Sequence, residues 1–170
     1  GGGGGIVSGT TWAQALNWNN LTNAWQVTGN GPLAFANNAG QTNQATAAIA
    51  IGIDAGRGNQ KSAAIAIGYQ AGLITQGTNA VAIGKQAGST AQGENAVAMG
   101  YTAGQSTQGS NAVAIGNNAG QVTQRASAVA IGNTAGQTVQ GQYAIAVGFS
   151  AGNTTQGQSA VAIGFAAGQV

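Results

Sequence analysis

Through most of the chain small and large apolar residues alternate in a five-residue stretch, seen clearly at Ala80-Val81-Ala82-Ile83-Gly84. The stretch returns every 16 residues, ending at Gly52, Gly68, Gly84, Gly100, Gly116, Gly132, Gly148 and Gly164. A degenerate copy, Pro32-Leu33-Ala34-Phe35-Ala36, lies upstream in the same phase. A fixed short period of this kind is the signature of a solenoid. Within each copy the large residues, such as Ile65/Ile67, Val97/Met99 and Val161/Ile163, are two apart and mostly β-branched, which predicts a short strand. Recurrent glycine and a spacing of two rather than 3.6 exclude a helix. The second half of the unit reads Ala-Gly-x-x-x-Gln-Gly, as in Ala87-Gly88-Ser89-Thr90-Ala91-Gln92-Gly93. Its Ala-Gly pair recurs from Ala39-Gly40 to Ala167-Gly168, and its glutamine at Gln44, Gln60, Gln76, Gln92, Gln108, Gln124, Gln140 and Gln156. A second, shorter strand is expected through the three variable positions, with glycines at the corners.

Two strands per unit, stacked in phase, make an all-β chain: a parallel β-solenoid of about nine 16-residue coils over residues 32–170. At about 4.8 Å per coil the rod is about 40 Å long. The simplest sidedness places the large Ile and Val residues in the interior. The glutamines then either point inward as a structural amide ladder or serve a binding role. The alanines opposite the large residues face outward: Ala48, Ala50, Ala64, Ala66, Ala80, Ala82, Ala96, Ala98, Ala112 and Ala114 head this column. A wall of methyl groups is a poor face for water and a good one for close approach of another chain. On this reading the alanines are an oligomer interface, the alternative being an inert wall on a monomer.

Residues 1–31 do not fit the repeat. Gly1–Gly5 form a lead-in, and Trp12, Trp18 and Trp25, all the tryptophans of the chain, follow it. Trp25 and Val27 alternate with polar residues as a short strand does, and Asn17–Asn23 is rich in turn formers. The segment is expected either to cap the open edge of the first coil, or join it to a preceding domain, or to offer an aromatic ligand platform. The glycine start without Met and the stop in mid-repeat suggest a piece of a longer chain.

Composition narrows function by exclusion. Only 4% of residues are charged, against roughly a quarter in typical soluble proteins. The net charge of +2 rests on Arg57, Lys61, Lys85 and Arg125 against Asp54 and Glu94, too scattered to form a nucleic-acid patch. With no His, no Cys and two separated carboxylates, no catalytic or metal-binding cluster can be assembled and no cofactor is expected. No run of about 18 apolar residues suggests a membrane-spanning helix. The chain therefore reads as a structural or attachment module rather than an enzyme.

The position after the first corner glycine varies most: Tyr69, Lys85, Tyr101, Asn117, Asn133, Phe149 and Phe165. Tyr69, Tyr101, Phe149 and Phe165 are candidates for a ligand surface, the alternative being packing of each on its neighbour. A row of Thr75, Thr107, Thr123 and Thr155 suggests an ice-binding face, but Asn43, Asn59, Ala91 and Val139 interrupt it. Asn20-Leu21-Thr22 and Asn153-Thr154-Thr155 match glycan acceptor motifs.

The motif Asn79-Ala80-Val81-Ala82-Ile83-Gly84, followed by Ala87-Gly88 and Gly93, resembles the head repeats of YadA-type trimeric autotransporter adhesins. Asn95-Ala96 and Asn111-Ala112 carry the same lead-in, and Ser127-Ala128 and Ser159-Ala160 a serine variant. The resemblance implies a left-handed β-roll, a side-by-side homotrimer and an extracellular, cell-surface module that attaches to a host glycan or matrix protein. The 16-residue unit is longer than the family's usual one and is also similar to repeats in fibre and surface proteins of large DNA viruses and phages. That likeness implies a virion location and a tail-fibre or surface role without a ligand of its own.

Overall fold

The computed structural model describes residues 32–169 in full and the backbone of two strands upstream, Ala15–Asn19 and Ala24–Thr28. Those two pair antiparallel, with Trp18 opposite Trp25 in register, and the first of them adjoins Leu33–Phe35, the first strand of the repeat region. Gly1–Gly5, Trp12 and Asn20 lie outside the described residues.

From Pro32 onward the chain is a parallel β-solenoid of about eight turns. Nine strands, from Leu33–Phe35 to Val161–Ile163, form one sheet, each beside the strand 16 residues away. The register is unbroken: Val81, Val97, Val113 and Val129 are successive Cα partners. The second sheet has seven two-residue strands, from Asn59–Gln60 to Thr155–Gln156, and Gln44 adds a single bridge to Gln60. These strands cover the last variable position and the glutamine rather than the three variable positions expected. Even spacing of the units keeps every residue type in one vertical column.

The sidedness of the long strands is the reverse of the sequence expectation. Ala48, Ala50, Ala64, Ala66, Ala80, Ala82, Ala96, Ala98, Ala112 and Ala114 have no exposed surface at all. Ala50, Ala66, Ala82, Ala98 and Ala114 fill the inside of the coil together with the third alanine of each unit, as in Ala71, Ala87 and Ala103. They cannot meet another chain. Ile and Val point outward instead, and each long strand after the first reads half-buried or exposed at both ends around a buried alanine. Coil thickness is the reason. A Cβ built on Gly72 or Gly104, across the lumen, would stand 3.3 Å from the Cβ of Ala66 or Ala98. The interior is about one methyl group thick, and an isoleucine has no room there.

Sharp corners make so narrow a coil possible. After the first coil, the glycine ending each long strand has φ near +125°, as at Gly84 (φ 123) and Gly100 (φ 128). A Cβ on Gly100 would also lie 2.6 Å from the carbonyl oxygen of Gly116 in the next coil. Glycine meets both conditions without strain, and the first coil carries Ala36 (φ 108) in this column instead. Two non-glycine positions per coil are left-handed as well. One is the residue before the first alanine: Asn79 (φ 56), Asn95 (φ 55), Asn111 (φ 59), Ser127 (φ 58). Asparagine tolerates this conformation better than most residues, which accounts for the Asn lead-in of the motif.

Candidate functional site

The glutamines occupy the lumen beside the alanines, and Gln60, Gln76, Gln124 and Gln140 are the largest fully buried side chains among the described residues. Each amide closes its own coil and clasps the next. Gln76 Nε2 donates to the Ile65 carbonyl at 2.6 Å, the Ala80 carbonyl at 3.2 Å and Gln92 Oε1 at 3.1 Å. The amide-to-amide bond repeats from Gln60 through Gln92, Gln108, Gln124 and Gln140 to Gln156, always toward the C-terminal side. At the other end Gln44 donates to the Leu33 carbonyl, and the buried Gln60 Oε1 has no hydrogen-bond partner. The preceding glycine makes the space. A Cβ on Gly88 would meet Gln92 Oε1 at 2.8 Å, so Ala-Gly-x-x-x-Gln is one steric unit.

The glycine after each glutamine is less strict, because Lys61 and Arg125 stand in its column. A Cβ on Gly93 would lie 2.5 Å from the Ser110 nitrogen. Ala45 stands in that column too, and its backbone nitrogen donates to Gln60 at 2.8 Å. Lys61 and Arg125 donate from their backbone nitrogens to Gln76 and Gln140 at 3.1 Å, against 2.8 Å for Gly77 to Gln92 and 2.7 Å for Gly109 to Gln124.

Outside the coil, two columns of large aliphatic residues run the length of the nine-stranded sheet. One holds Ile65, Val81, Val97 and Val113; the other holds Ile67, Ile83, Met99, Ile115 and Ile131. Met99, Ile115 and Ile131 are 39%, 37% and 37% exposed, although their neighbours above and below are equally apolar. The wall is about 40 Å long with its columns about 7 Å apart, an area of a few hundred Å². A patch of that size is as large as the largest on an ordinary monomer, and such patches are often functional. This is the surface that the sequence reading missed. The signal was present: the inner columns admit only alanine after Pro32, whereas the outer ones vary among Val, Ile, Met, Leu and Phe.

At the corner beside the wall, Tyr69, Lys85, Tyr101, Phe149 and Phe165 are all exposed. They pack on one another along the axis. Lys85 Nζ lies 6.0 Å and 5.6 Å from the ring centroids of Tyr69 and Tyr101, and the rings of Phe149 and Phe165 stack at 5.3 Å, 7° from parallel. Thr75, Thr107, Thr123 and Thr155 lie on the short strands, with Ala91 and Val139 between them. The amide of Asn153, in the second acceptor motif, is engaged: Nδ2 donates to the Thr134 carbonyl and to Gln137 Oε1. Among the described residues no three His, Cys, Asp or Glu side chains come together, and no helix is long and apolar enough to cross a membrane.

The family model of the YadA head domain repeat matches two stretches, residues 76–103 and 106–119. Both lie on the regular coils whose wall, lumen and corners are described above. Over these stretches the coils are similar to YadA head repeats. The matched stretches include Gln76, Gln92 and Gln108, so the amide ladder runs through the YadA-like region. Comparison with curated proteins and with solved structures gives no match.

Proposed function

We propose that this chain forms part of the head of a trimeric adhesin-like surface fibre, in which three left-handed β-rolls lie side by side with their Val/Ile walls turned toward a common axis. The observation that carries this reading is the wall itself: two unbroken columns of large aliphatic residues, outside a coil whose interior is already full. Burying them against two other copies removes the chain's main apolar surface from water, at about 25 cal/mol per Å². A narrow single coil gains most from such association. The interface thus moves from the alanines to the residues that alternate with them. Head repeats of the YadA type are typically structural, and the proposed role is display at an extracellular surface. Attachment to a host glycan or matrix protein would act through the exposed corners, repeated three times per assembly for avidity.

Light scattering tests the assembly. The expected mass is that of three chains, and replacing Val113 and Ile115 together by lysine should yield monomers that keep their strand circular dichroism. A wild-type monomer with intact strand signal would overturn the trimer. Attachment is tested separately on matrix-coated and glycan-coated surfaces. Binding should fall when Tyr69, Tyr101, Phe149 and Phe165 are replaced by serine; unchanged binding would remove those residues from the attachment surface.

A further inference from the structure

A solenoid needs its lumen and corner columns to be regular, while its outer columns are free to vary. Departures from the outer pattern that fall together in space are therefore informative. The column after each Ala-Gly pair is an amide ladder in the C-terminal half: Gln121 donates to Gln105 at 3.2 Å, Gln137 to Gln121 at 3.0 Å and Asn153 to Gln137 at 3.2 Å. Nearer the N-terminal end the same column reads Gln41, Arg57, Leu73. The next column holds Thr, Ser, Val or Ile in every described coil except one, where it holds Gly58. Three of the six charged residues, Asp54, Arg57 and Lys61, fall in that same coil.

Gly58 interrupts this row of side chains, and a Cβ there would run into the backbone carbonyl oxygen of Ile74 in the next coil. A hollow of about 340 Å³ lies there, lined by Gln41, Thr42, Arg57, Gly58, Leu73 and Ile74. Its volume falls at the lower end of the range for small-molecule sites. Arg57 is held at its rim from two sides. Nε donates to Gln41 Oε1 at 3.1 Å, and Nη1 lies 3.8 Å from Asp54 Oδ1, which itself accepts from Asn38 Nδ2 at 2.9 Å. The rest of the guanidinium is open, the side chain being 51% exposed. Leu73 and Ile74 supply an apolar side, and Ile74 is 50% exposed.

We propose that this hollow is a binding site for a carboxylate carried on a compact branched aliphatic group. Arg57 takes the carboxylate through its free Nη group, a planar donor suited to that anion. Leu73 and Ile74 take the aliphatic part, beside the side-chain-free backbone of Gly58. A free branched-chain acid and the C-terminal residue of a peptide present the same chemistry.

The test is an amide NMR titration of the whole chain with 4-methylpentanoate, with a blocked tripeptide ending in leucine, and with acetate. Gly58, Leu73, Ile74 and the Arg57 side-chain NH are unique in their columns, so their signals stand apart from the repeats, and the local readout does not depend on the assembly state. Saturable shifts at these groups are expected with 4-methylpentanoate. Arg57→Gln restores the residue that the column carries elsewhere, so the fold is kept, and it should weaken binding at least tenfold. Ile74→Thr, also a residue of its own column, should weaken 4-methylpentanoate while leaving acetate unchanged. Binding of the acid but not the peptide assigns a free small acid, and binding of both assigns a chain terminus. Absence of saturable shifts, equal binding by Arg57→Gln, or acetate binding as tightly as 4-methylpentanoate would each overturn the proposal.

Discussion

At Gln108 a single side-chain amide bonds four partners. It donates to the Val97 and Ala112 carbonyls and to Gln124 Oε1, and accepts from Gln92. Gln108→Leu keeps most of the volume and leaves these buried groups without their partner, each at about 1–3 kcal/mol. A fall in the thermal midpoint, with amide exchange accelerated at residues 97 and 112–113, is the expected outcome. At the opposite extreme stands Ala63, held at φ 55 in the column that carries Asn79, Asn95 and Asn111 in later coils. Those asparagines also bond one another, at 3.1 Å and 3.2 Å. Ala63→Asn relieves part of a left-handed penalty of about 1–2 kcal/mol and supplies an amide that can join the row. Its thermal midpoint should rise.

At the scale of the strand, inside and outside differ by what they tolerate. Ala98 faces a lumen one methyl thick, so Ala98→Leu overpacks it and should cost about 1–3 kcal/mol or more. The adjacent Val97 is half-buried on the outer wall, and Val97→Thr should leave the strand signal intact in circular dichroism while weakening self-association. The opposite pair of outcomes would restore the large residues to the interior. This contrast also marks what could be read from the sequence. Period, the positions of the long strands, parallel stacking and the glutamine column were all legible, since each is a statement about spacing along one chain; the short strands fall one to two residues later than expected. Sidedness was not legible, because alternation shows that two faces differ without saying which one is enclosed. Large-in, small-out is a sound default for a wide sandwich and fails for a coil this narrow. The unvarying alanine at Ala50, Ala66, Ala82 and Ala98, beside the free exchange of Ile, Val and Met, was the available clue. The hollow at Gly58 was hidden for another reason: it depends on which residues of successive coils stand above one another, and a lone glycine among 31 does not announce that.

Over the whole molecule, each coil is bonded only to the coil before it and the coil after it, in phase at 16 residues. Stability is then close to a sum of coil and neighbour terms. Deleting residues 97–112, one whole unit, should preserve the strand spectrum per residue, whereas deleting one residue fewer throws every column downstream off its face and should abolish it. The same arrangement has a mechanical consequence. Strands lie across the rod, so a pull along its axis loads the bonds between neighbouring coils one set at a time. A coil that peels away releases 16 residues, up to about 50 Å of slack, in exchange for about 4.8 Å of rod. Under steady tension the fibre would lengthen in equal steps from its end, dissipating work at each, and rewind when the load is removed. A regular sawtooth in single-molecule pulling would record the repeat length directly.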